Sequence, residues 1–384
     1  MLQEEKFFHK AADRRRHDHG CRLTHKYLLE NGYLWMSLMA STIYGKYTSK
    51  DDGVLRLVTY SQNRLKSCRT GFMVGDHVVD LNLASRFFVE HHGNKADKGT
   101  YYSDFHAPTE MHKLIQAGPH ALDHVDQVFK LFSGMKGDEL AKVAQNGGFV
   151  FNLSDVVIHA PLRPNKIIHT AGNFREHASE GSAAGWPFPI PEWISFLKNP
   201  DAVIGHEQVI EKPSFTSQLD HELELAIIIG RKMKNVSEEE ARNGIFGFTV
   251  FNDVTARDLQ REEMKNGLLN IAKNLDTFAP LGPTLVPYRY LKDPHNMTME
   301  LRVNDDPRQV GSTKKLSVKI EQIVSKYSWV TLNPGDMIST GTISGVAAFR
   351  KPDPAPFFLK DGDVLDCEIE GLGKMRSFVK NAPS

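Results

Sequence analysis

The sequence predicts a mainly β, α+β fold, and three observations support this prediction. Short runs in which apolar and polar residues alternate recur along the chain, as expected of strands with one buried face. Turn sequences rich in Gly, Pro, Asn and Asp separate these runs. Helical spacing of apolar residues is confined to a few segments. The patterns together predict a twisted, mainly β architecture with peripheral helices.

Composition along the 384 residues divides the chain into three parts, enough for a small and a larger domain. Residues 1–54 are polar and mixed in charge, and we expect an extension without a catalytic role. Residues 55–160 carry the first strands and are expected to form a small N-terminal domain. Residues 161–384 open on a proline-containing linker, Pro161–Pro164, and are expected to form the larger domain.

In the small domain, Leu55–Tyr60 alternates like a strand, and Gly71–Leu81 predicts two strands around a Gly-Asp turn. The polar stretch His91–Tyr102 predicts a loop. Apolar residues of Thr109–Phe132 have helical spacing, which Gly118–Pro119 interrupts.

In the larger domain, strands dominate and helices are expected to be few and short. A capping-box pattern in Ser237–Glu240, followed by the helix stop Asn243–Gly244, predicts one short helix. The main predicted strands are Lys166–Thr170, Leu219–Gly230, Ile245–Phe251, Met297–Val303, Asp336–Thr340 and Val364–Ile369.

The segment Gly181–Trp193 is rich in glycine and proline yet carries the aromatic residues Trp186, Phe188 and Trp193. A mobile lid that packs over a bound ligand would explain this composition. A fixed surface loop would explain it equally well.

Composition also limits the partners and the compartment. Lys+Arg and Asp+Glu both number 47, so the net charge is zero, which argues against nucleic acid or an anionic membrane as the main partner. No apolar run approaches the roughly 20 residues of a membrane span. Cys21, Cys68 and Cys367 are too few for a disulfide framework or a thiolate metal site, so a reducing, cytoplasmic location is expected.

Three carboxylates point to a metal site. Glu222 and Glu224 are two apart in a strand-like run, so we expect both side chains on one face. Carboxylates on one face repel each other unless a cation lies between them, and hard divalent cations favour oxygen ligands. Asp253 follows another predicted strand and supplies a third carboxylate. The alternative is a set of solvated surface acids, although the apolar run after Glu224 indicates a strand that enters a core.

Further candidates lie near these acids in the sequence. His177 and Glu180 share one face if their segment is helical, and such a pair could take a proton from water. Lys273 could bind a substrate carboxylate or stabilise an enolate. The alternatives are a surface His–Glu contact and an ordinary surface lysine.

Substrate-binding candidates are Arg257, Gln260 and the loop that contains Thr342. Arg257 could contact substrate, or could instead fix its loop by pairing with Asp258. Backbone amides and hydroxyls around Thr342 could bind a carboxylate. Neither a nucleotide-binding loop nor a nucleophile elbow occurs in the sequence, so a covalent serine mechanism has no support.

Together these segments resemble the fumarylacetoacetate hydrolase family, from about Leu55 to Lys380. Two residues depart from the family's usual pattern, because Phe174 and His221 stand where tyrosines are common. His221 is expected to face away from Glu222 on the strand. The motifs that carry the resemblance are Gly172–Glu180, Phe196–Lys198, Leu219–Glu224, Phe251–Asp258, Lys273–Phe278 and Gly341–Val346.

The resemblance implies a mixed β-roll catalytic domain with a smaller N-terminal domain, a homodimer, and Mg²⁺ or Mn²⁺ (sometimes Ca²⁺) as cofactor. It assigns water activation to His177 and Glu180 and substrate stabilisation to Lys273, with Lys198 near the substrate. It assigns the metal-ligand roles to Glu222, Glu224 and Asp253.

The resemblance also implies the reaction class. We expect a metal-dependent hydrolase that cleaves a carbon–carbon bond in a small 2,4-dioxo acid such as an acylpyruvate. The rivals are a decarboxylase, isomerase or hydratase that acts on a related 2-oxo acid through an enolate. A protein that keeps the fold and the metal but only binds its ligand is a third possibility.

Overall fold

The computed structural model describes residues 53–62, 67–93, 100–135, 139–184 and 194–383. The predicted N-terminal extension, apart from its last two residues, lies outside this part of the chain, as does most of Gly181–Trp193, the segment interpreted as a lid or a fixed loop.

Strands form the framework of the described chain. In chain order they are β1 Leu57–Gln62, β2 Arg69–Val74, β3 His77–Asp80, β4 Val150–Asn152, β5 Val156–His159, β6 Ile167–Ala171, β7 Ile194–Lys198, β8 Val203–Ile204, β9 Gln208–Lys212, β10 Leu219–Asp220, β11 Leu223–Ile229, β12 Ile245–Asn252, β13 Thr255–Ala256, β14 Ala279–Pro287, β15 Thr298–Val303, β16 Asp306–Ser312, β17 Met337–Thr342, β18 Val364–Ile369 and β19 Gly373–Asn381.

Helices flank these strands. They are α1 Leu81–His92, α2 Thr100–His106, α3 Met111–Ser133, α4 Glu139–Gly147, α5 Arg175–Ala183, α6 Glu238–Gly244, α7 Arg257–Lys265, α8 Ile271–Asn274 and α9 Ile320–Tyr327. Within the described residues, none of these helices combines the length and the apolar character that a membrane crossing requires.

The strands are arranged in two main sheets. A 12-stranded mixed sheet has the order β4-β3-β2-β1-β14-β12-β11-β17-β6-β7, with β5 on β1 and β8 on β14. A 5-stranded sheet has the order β16-β15-β18-β19-β9, and β10 pairs with β13. Most neighbours are antiparallel, whereas β6 runs parallel to β17. The predicted α+β class with mixed sheets is therefore confirmed.

The centre of the large sheet is buried on both faces. Every residue of β11, β12 and β14 is buried. Along β11, Leu225 and Ile227 pack into one apolar core, whereas Ala226 and Ile228 pack into a second core that also includes residues of α1 and α3. This alternation follows from the pleat of the strand. The sheet therefore lies between two cores, and it holds the residues at the ends of its strands in a rigid arrangement.

Helices are more extensive than the sequence predicted. The predicted loop His91–Tyr102 contains the end of α1 and the start of α2, and α3 runs over 23 residues. The Asp80 side chain caps α1 by accepting from the Leu83 amide, so the helix starts directly after β3. The predicted break in the long helix is confirmed, because Gly118 has a φ of 77° next to Pro119.

The predicted boundary between residues 160 and 161 stays a prediction. Strand β1 pairs with β14 at Leu57 and Leu285, so strands from the two proposed domains share one sheet.

The capping box at the start of α6 gives a first testable result. Ser237 accepts from the Glu240 amide, and the Glu240 carboxylate accepts from the Ser237 amide. Ser237→Ala leaves one of these amides without its acceptor, so we expect the free energy of unfolding to fall by about 1 kcal/mol. Urea denaturation measures this change. Ser154→Ala, at an exposed position, is the control, and equal stability of both variants would contradict the role of the cap.

Candidate active site

Polar side chains from five elements converge at one edge of the large sheet. The register places Glu224 opposite Phe251 on one side and Thr342 on the other. The Asn252 side chain accepts from the Glu222 amide at 2.8 Å, and the Asp253 amide donates to the Glu222 carbonyl at 2.8 Å. The residues brought together are His169 of β6, Lys198 of β7, Glu224 of β11, Asp253 after β12, and Lys273 of α8.

Asp253 is the centre of this cluster. Its Oδ1 lies 2.6 Å from Lys198 Nζ, and its Oδ2 lies 2.5 Å from Lys273 Nζ and 3.0 Å from His169 Nε2. Burial raises the pKa of Asp253, but the positive charges of His169, Lys198 and Lys273 outweigh burial and hold it well below its usual range. Asp253 is therefore an anion at neutral pH.

Glu224 has one oxygen that lacks a partner. Its Oε2 accepts from the Ser339 hydroxyl and from the Gly341 amide at 3.2 Å. Its buried Oε1 has no hydrogen-bond partner among the described residues. Burial, with repulsion from Asp253 and Glu222, raises the pKa of Glu224 against the opposing effect of His169. An unpaired buried carboxylate oxygen beside a second carboxylate fits a divalent cation.

His169 is the histidine of this cluster. It is 2% exposed, and its Nε2 lies 3.1 Å from Glu224 Oε2. Burial opposes the charged imidazolium, but Asp253 and Glu224 outweigh burial and raise the pKa of His169 to about 9. Ligand atoms of His169, Glu224 and Asp253 all lie within 4.8 Å of one another.

Glu222 lies beside this group but faces other partners. Its Oε1 is 2.6 Å from a terminal nitrogen of Arg257, and its Oε2 is 2.7 Å from Lys273 Nζ. It thus shares Lys273 with Asp253. Burial lowers the pKa of Lys273, but Asp253 and Glu222 outweigh it and raise the pKa, so the ammonium form is retained. The metal-ligand role of Glu222 stays a prediction.

Arg257 links the cluster to the loop after β17. Its Nε donates to Asp220 at 2.8 Å, and another nitrogen donates to Gln260 at 3.0 Å. Asp220 also accepts from the Ala347 and Ala348 amides at 2.8 and 3.0 Å. The alternative pairing of Arg257 with Asp258 is not observed.

Asp258 instead holds the segment before β10. It accepts from the Thr216 hydroxyl at 2.6 Å and from the Ser217 amide at 3.0 Å. Its carboxylate is therefore used to fix a neighbouring turn, which leaves Arg257 for the buried acids.

The predicted dyad lies on α5. His177 Nδ1 is 3.8 Å from Glu180 Oε2, and both Glu180 oxygens accept from the Gly345 amide at 3.0–3.1 Å. The Phe349 ring lies 5.3 Å from the His177 ring and 5.7 Å from the Arg257 guanidinium carbon. One aromatic ring therefore contacts both the dyad and the cation that binds Glu222.

The other predicted substrate-binding groups are largely occupied within the protein. The Thr342 hydroxyl donates to the Leu223 carbonyl at 3.0 Å and accepts from the Gln309 amide at 2.9 Å. Lys198 donates to Asp253 and to the Lys273 carbonyl, and burial lowers its pKa against the effect of Asp253. His221 Nδ1 lies 3.1 Å from Gln309 Oε1, and the prediction that it faces away from Glu222 stays a prediction.

Sequence reasoning missed His169 and Glu263. A histidine inside the apolar run of β6 was the available signal for His169. Glu263 supports the segment that carries Lys273, because its carboxylate accepts from the amides of Asn270, Ile271 and Ala272 at 2.6–3.3 Å. The short helix α8, which carries Lys273, is thus capped by a side chain from α7.

The family model described as fumarylacetoacetate (FAA) hydrolase C-terminal matches residues 166–380. The chain is 34% identical over 339 residues to the fumarylacetoacetate hydrolase domain-containing protein 2 homolog of Dictyostelium discoideum, covering 85% of this chain and 98% of that protein.

Two further similarities bear on the reaction. The chain is 37% identical to the oxaloacetate tautomerase fahd2, mitochondrial, of Xenopus laevis, with 83% of this chain and 88% of that protein covered. The solved fumarylacetoacetate hydrolase from the psychrophilic Exiguobacterium antarcticum superposes with a TM-score of 0.62 at 30% identity, covering 85% of this chain and 99% of that chain.

Proposed function

The chain belongs to the fumarylacetoacetate hydrolase family, and we propose on this basis that it transfers a proton on a small 2-oxo dicarboxylic acid, interconverting its keto and enol forms. The proposal rests on the similarity to the relative from Xenopus laevis. That relative is named an oxaloacetate tautomerase and matches this chain over most of its length. The arrangement of charged groups supports it, because proton loss beside a 2-oxo group produces an enolate that needs positive charge.

The buried charges favour an anionic ligand. When His169 is neutral, the four carboxylates Asp220, Glu222, Glu224 and Asp253 outnumber the three cations Arg257, Lys198 and Lys273 by one. Without a bound ion, the imidazolium of His169 balances this excess. A divalent ion beside a neutral imidazole would turn this excess into a net charge of plus one. A 2-oxo dicarboxylate would then enter a site of opposite charge.

The chain's own groups have separate roles in this reaction. His177 moves the proton, and Glu180, which the Gly345 amide fixes, orients the imidazole. Lys273 retains its ammonium and balances the charge of the enolate. When bound, a divalent cation supplies further positive charge to the enolate, and Glu224 and Asp253, with Glu222 as the ligand predicted from sequence, would hold it.

The test is the rate at which the enol form of oxaloacetate disappears, followed by ultraviolet absorbance with Mg²⁺ or Mn²⁺. We expect the full chain to accelerate this reaction, and both a chelator and His177→Gln to remove the acceleration. If the enol form disappears no faster with the protein than in buffer that contains the same metal, the tautomerase proposal is refuted.

A second candidate is hydrolysis of a carbon–carbon bond in a 2,4-dioxo acid. It is favoured by the likeness to the solved fumarylacetoacetate hydrolase. Here the His177–Glu180 pair would activate water, and cleavage would release a pyruvate enolate. Turnover of an acylpyruvate series, measured as pyruvate released, distinguishes the candidates. Cleavage without enol turnover of oxaloacetate would make the chain a hydrolase.

Glu263 supports Lys273, and its replacement gives a specific expected result. Glu263→Gln weakens the bonds to the amides of Asn270 and of the first two residues of α8, so Lys273 shifts and kcat should fall by about ten- to a hundredfold. Metal affinity, measured by calorimetry, should stay unchanged. Glu262→Gln is the matched control, because the exposed Glu262 carboxylate pairs with the exposed Lys265 and not with α8. Equal kcat in both variants would exclude the supporting role.

We also propose a homodimer, from the family resemblance. The cytoplasmic location stays a prediction, and the cysteine content does not support it, because Cys68 is disulfide-bonded. Light scattering of the purified full chain tests the first, and a monomer would overturn it. Fractionation of cells that express the full chain tests the second. The word mitochondrial in the name of the Xenopus laevis relative makes a mitochondrial fraction the informative alternative.

A further inference from the structure

His169 occupies an unusual position among the acids. Its Nε2 lies 3.1 Å from Glu224 Oε2 and 3.0 Å from Asp253 Oδ2, yet neither contact has the geometry of a hydrogen bond. Neither ring nitrogen has a hydrogen-bond partner among the described residues, although the side chain is 2% exposed. A charged imidazole held only by these carboxylates would be expected to direct an N–H at one of them.

Both distances from His169 Nε2 match the spacing of two atoms that bind one metal ion. Two ligands that each lie about 2.1 Å from an ion, at right angles, are about 3.0 Å apart. Glu224 adds a buried Oε1 without a partner. We propose that His169 Nε2 is a metal ligand together with Glu224 and Asp253, which makes this a mixed nitrogen and oxygen site. The inference rests on the metal dependence in the proposed function.

Packing holds the imidazole ready for this role. Its ring stacks on Phe196 of β7, with ring centroids 4.4 Å apart and planes inclined by 14°, and lies 5.9 Å from the ring of Phe251 on β12. Strand β6 is paired on both sides, with β17 and with β7. The ring orientation is therefore fixed by stacking and by the sheet, without a hydrogen bond to Nδ1.

A nitrogen ligand changes which metal the site prefers. Mg²⁺ and Ca²⁺ favour oxygen ligands, whereas imidazole suits the divalent transition ions. The expected ions Mg²⁺ and Ca²⁺ should therefore bind more weakly than Mn²⁺, and Mn²⁺ more weakly than Co²⁺. The site would select its metal through a residue that belongs to β6, outside the acidic motifs.

The test uses the full chain, stripped of metal and reloaded with Mn²⁺, and pulsed electron paramagnetic resonance. We expect a ¹⁴N coupling to Mn²⁺ that disappears in His169→Gln. We expect His169→Gln also to lower the ratio of Mn²⁺ to Mg²⁺ affinity by at least about tenfold in calorimetry. His221→Gln, which replaces a buried histidine that faces Gln309, should keep the coupling.

Three results would overturn the inference. The first is that the wild-type protein binds Mn²⁺ but shows no ¹⁴N coupling. The second is that the coupling persists in His169→Gln, and the third is that the wild-type protein binds Mg²⁺ and Mn²⁺ with equal affinity. The first and third need no variant, so they remain decisive if His169→Gln fails to fold. Enol turnover with Mg²⁺ or Mn²⁺ but no ¹⁴N coupling rejects only the role of His169. Coupling without turnover rejects only the proposed reaction.

Discussion

Asp253→Asn should lower kcat by at least about 10²–10³-fold. It should also lower the free energy of unfolding by about 3–5 kcal/mol. The substitution keeps the shape of the side chain but removes the charge that Lys198 and Lys273 bind at 2.6 and 2.5 Å. Two buried ammonium groups then lose their common anion. Glu222 still contacts Lys273, so Lys198 is the group that loses most.

Urea denaturation in the presence of a chelator measures this loss of stability without a contribution from bound metal. Enol turnover is measured separately with Mn²⁺ in excess. Asp276→Asn is the matched control, because this exposed acid lies three residues beyond Lys273, and we expect a change below about 0.5 kcal/mol. An Asp253→Asn protein as stable as wild type would show that the buried ammonium groups do not depend on this carboxylate.

Replacement of Arg257 should have the second largest effect. Arg257→Leu leaves Asp220 and Glu222 without their shared cation in a buried site, so we expect a loss of about 3–5 kcal/mol in the free energy of unfolding. Turnover should also fall, because Arg257 contacts the Phe349 ring that packs against His177.

Arg257→Lys separates charge from geometry. A lysine keeps the charge but cannot contact Asp220, Glu222 and Gln260 at once, so a smaller loss of stability is expected. Arg302→Leu is the matched control, since this partly exposed pair with Glu300 should be worth about 1 kcal/mol or less. Similar losses in Arg257→Leu and Arg302→Leu, measured by urea denaturation, would contradict the structural role.

The acids of the site could be predicted because each lies at the end of an apolar strand. The apolar run after Glu224 predicted a strand that enters a core, and the whole of β11 is buried, as is β12 before Asp253. Glu222 shows where the pattern stops being informative. It lies between β10 and β11, so the alternation expected of one continuous strand does not extend to it, and it faces Arg257 and Lys273.

His169 could not be assigned from sequence because its neighbours come from distant parts of the chain. Strand β6 reaches the acids only through its parallel pairing with β17, which no local pattern specifies. The end of helix α1 was predicted to be a loop for a different reason. Its histidines lie in the last turn, where they are exposed, and their polarity resembled that of a loop.

The lysines around Asp253 also bear on how the protein acquires its metal. Since Lys198, Lys273 and Arg257 already balance most of the buried negative charge, the polypeptide does not need an ion to reach its native state. Newly made chains could therefore fold first and be metallated afterwards by exchange with the cellular pool. Which ion occupies the site in living cells would then depend on the available concentration of each metal as well as on its affinity for the site.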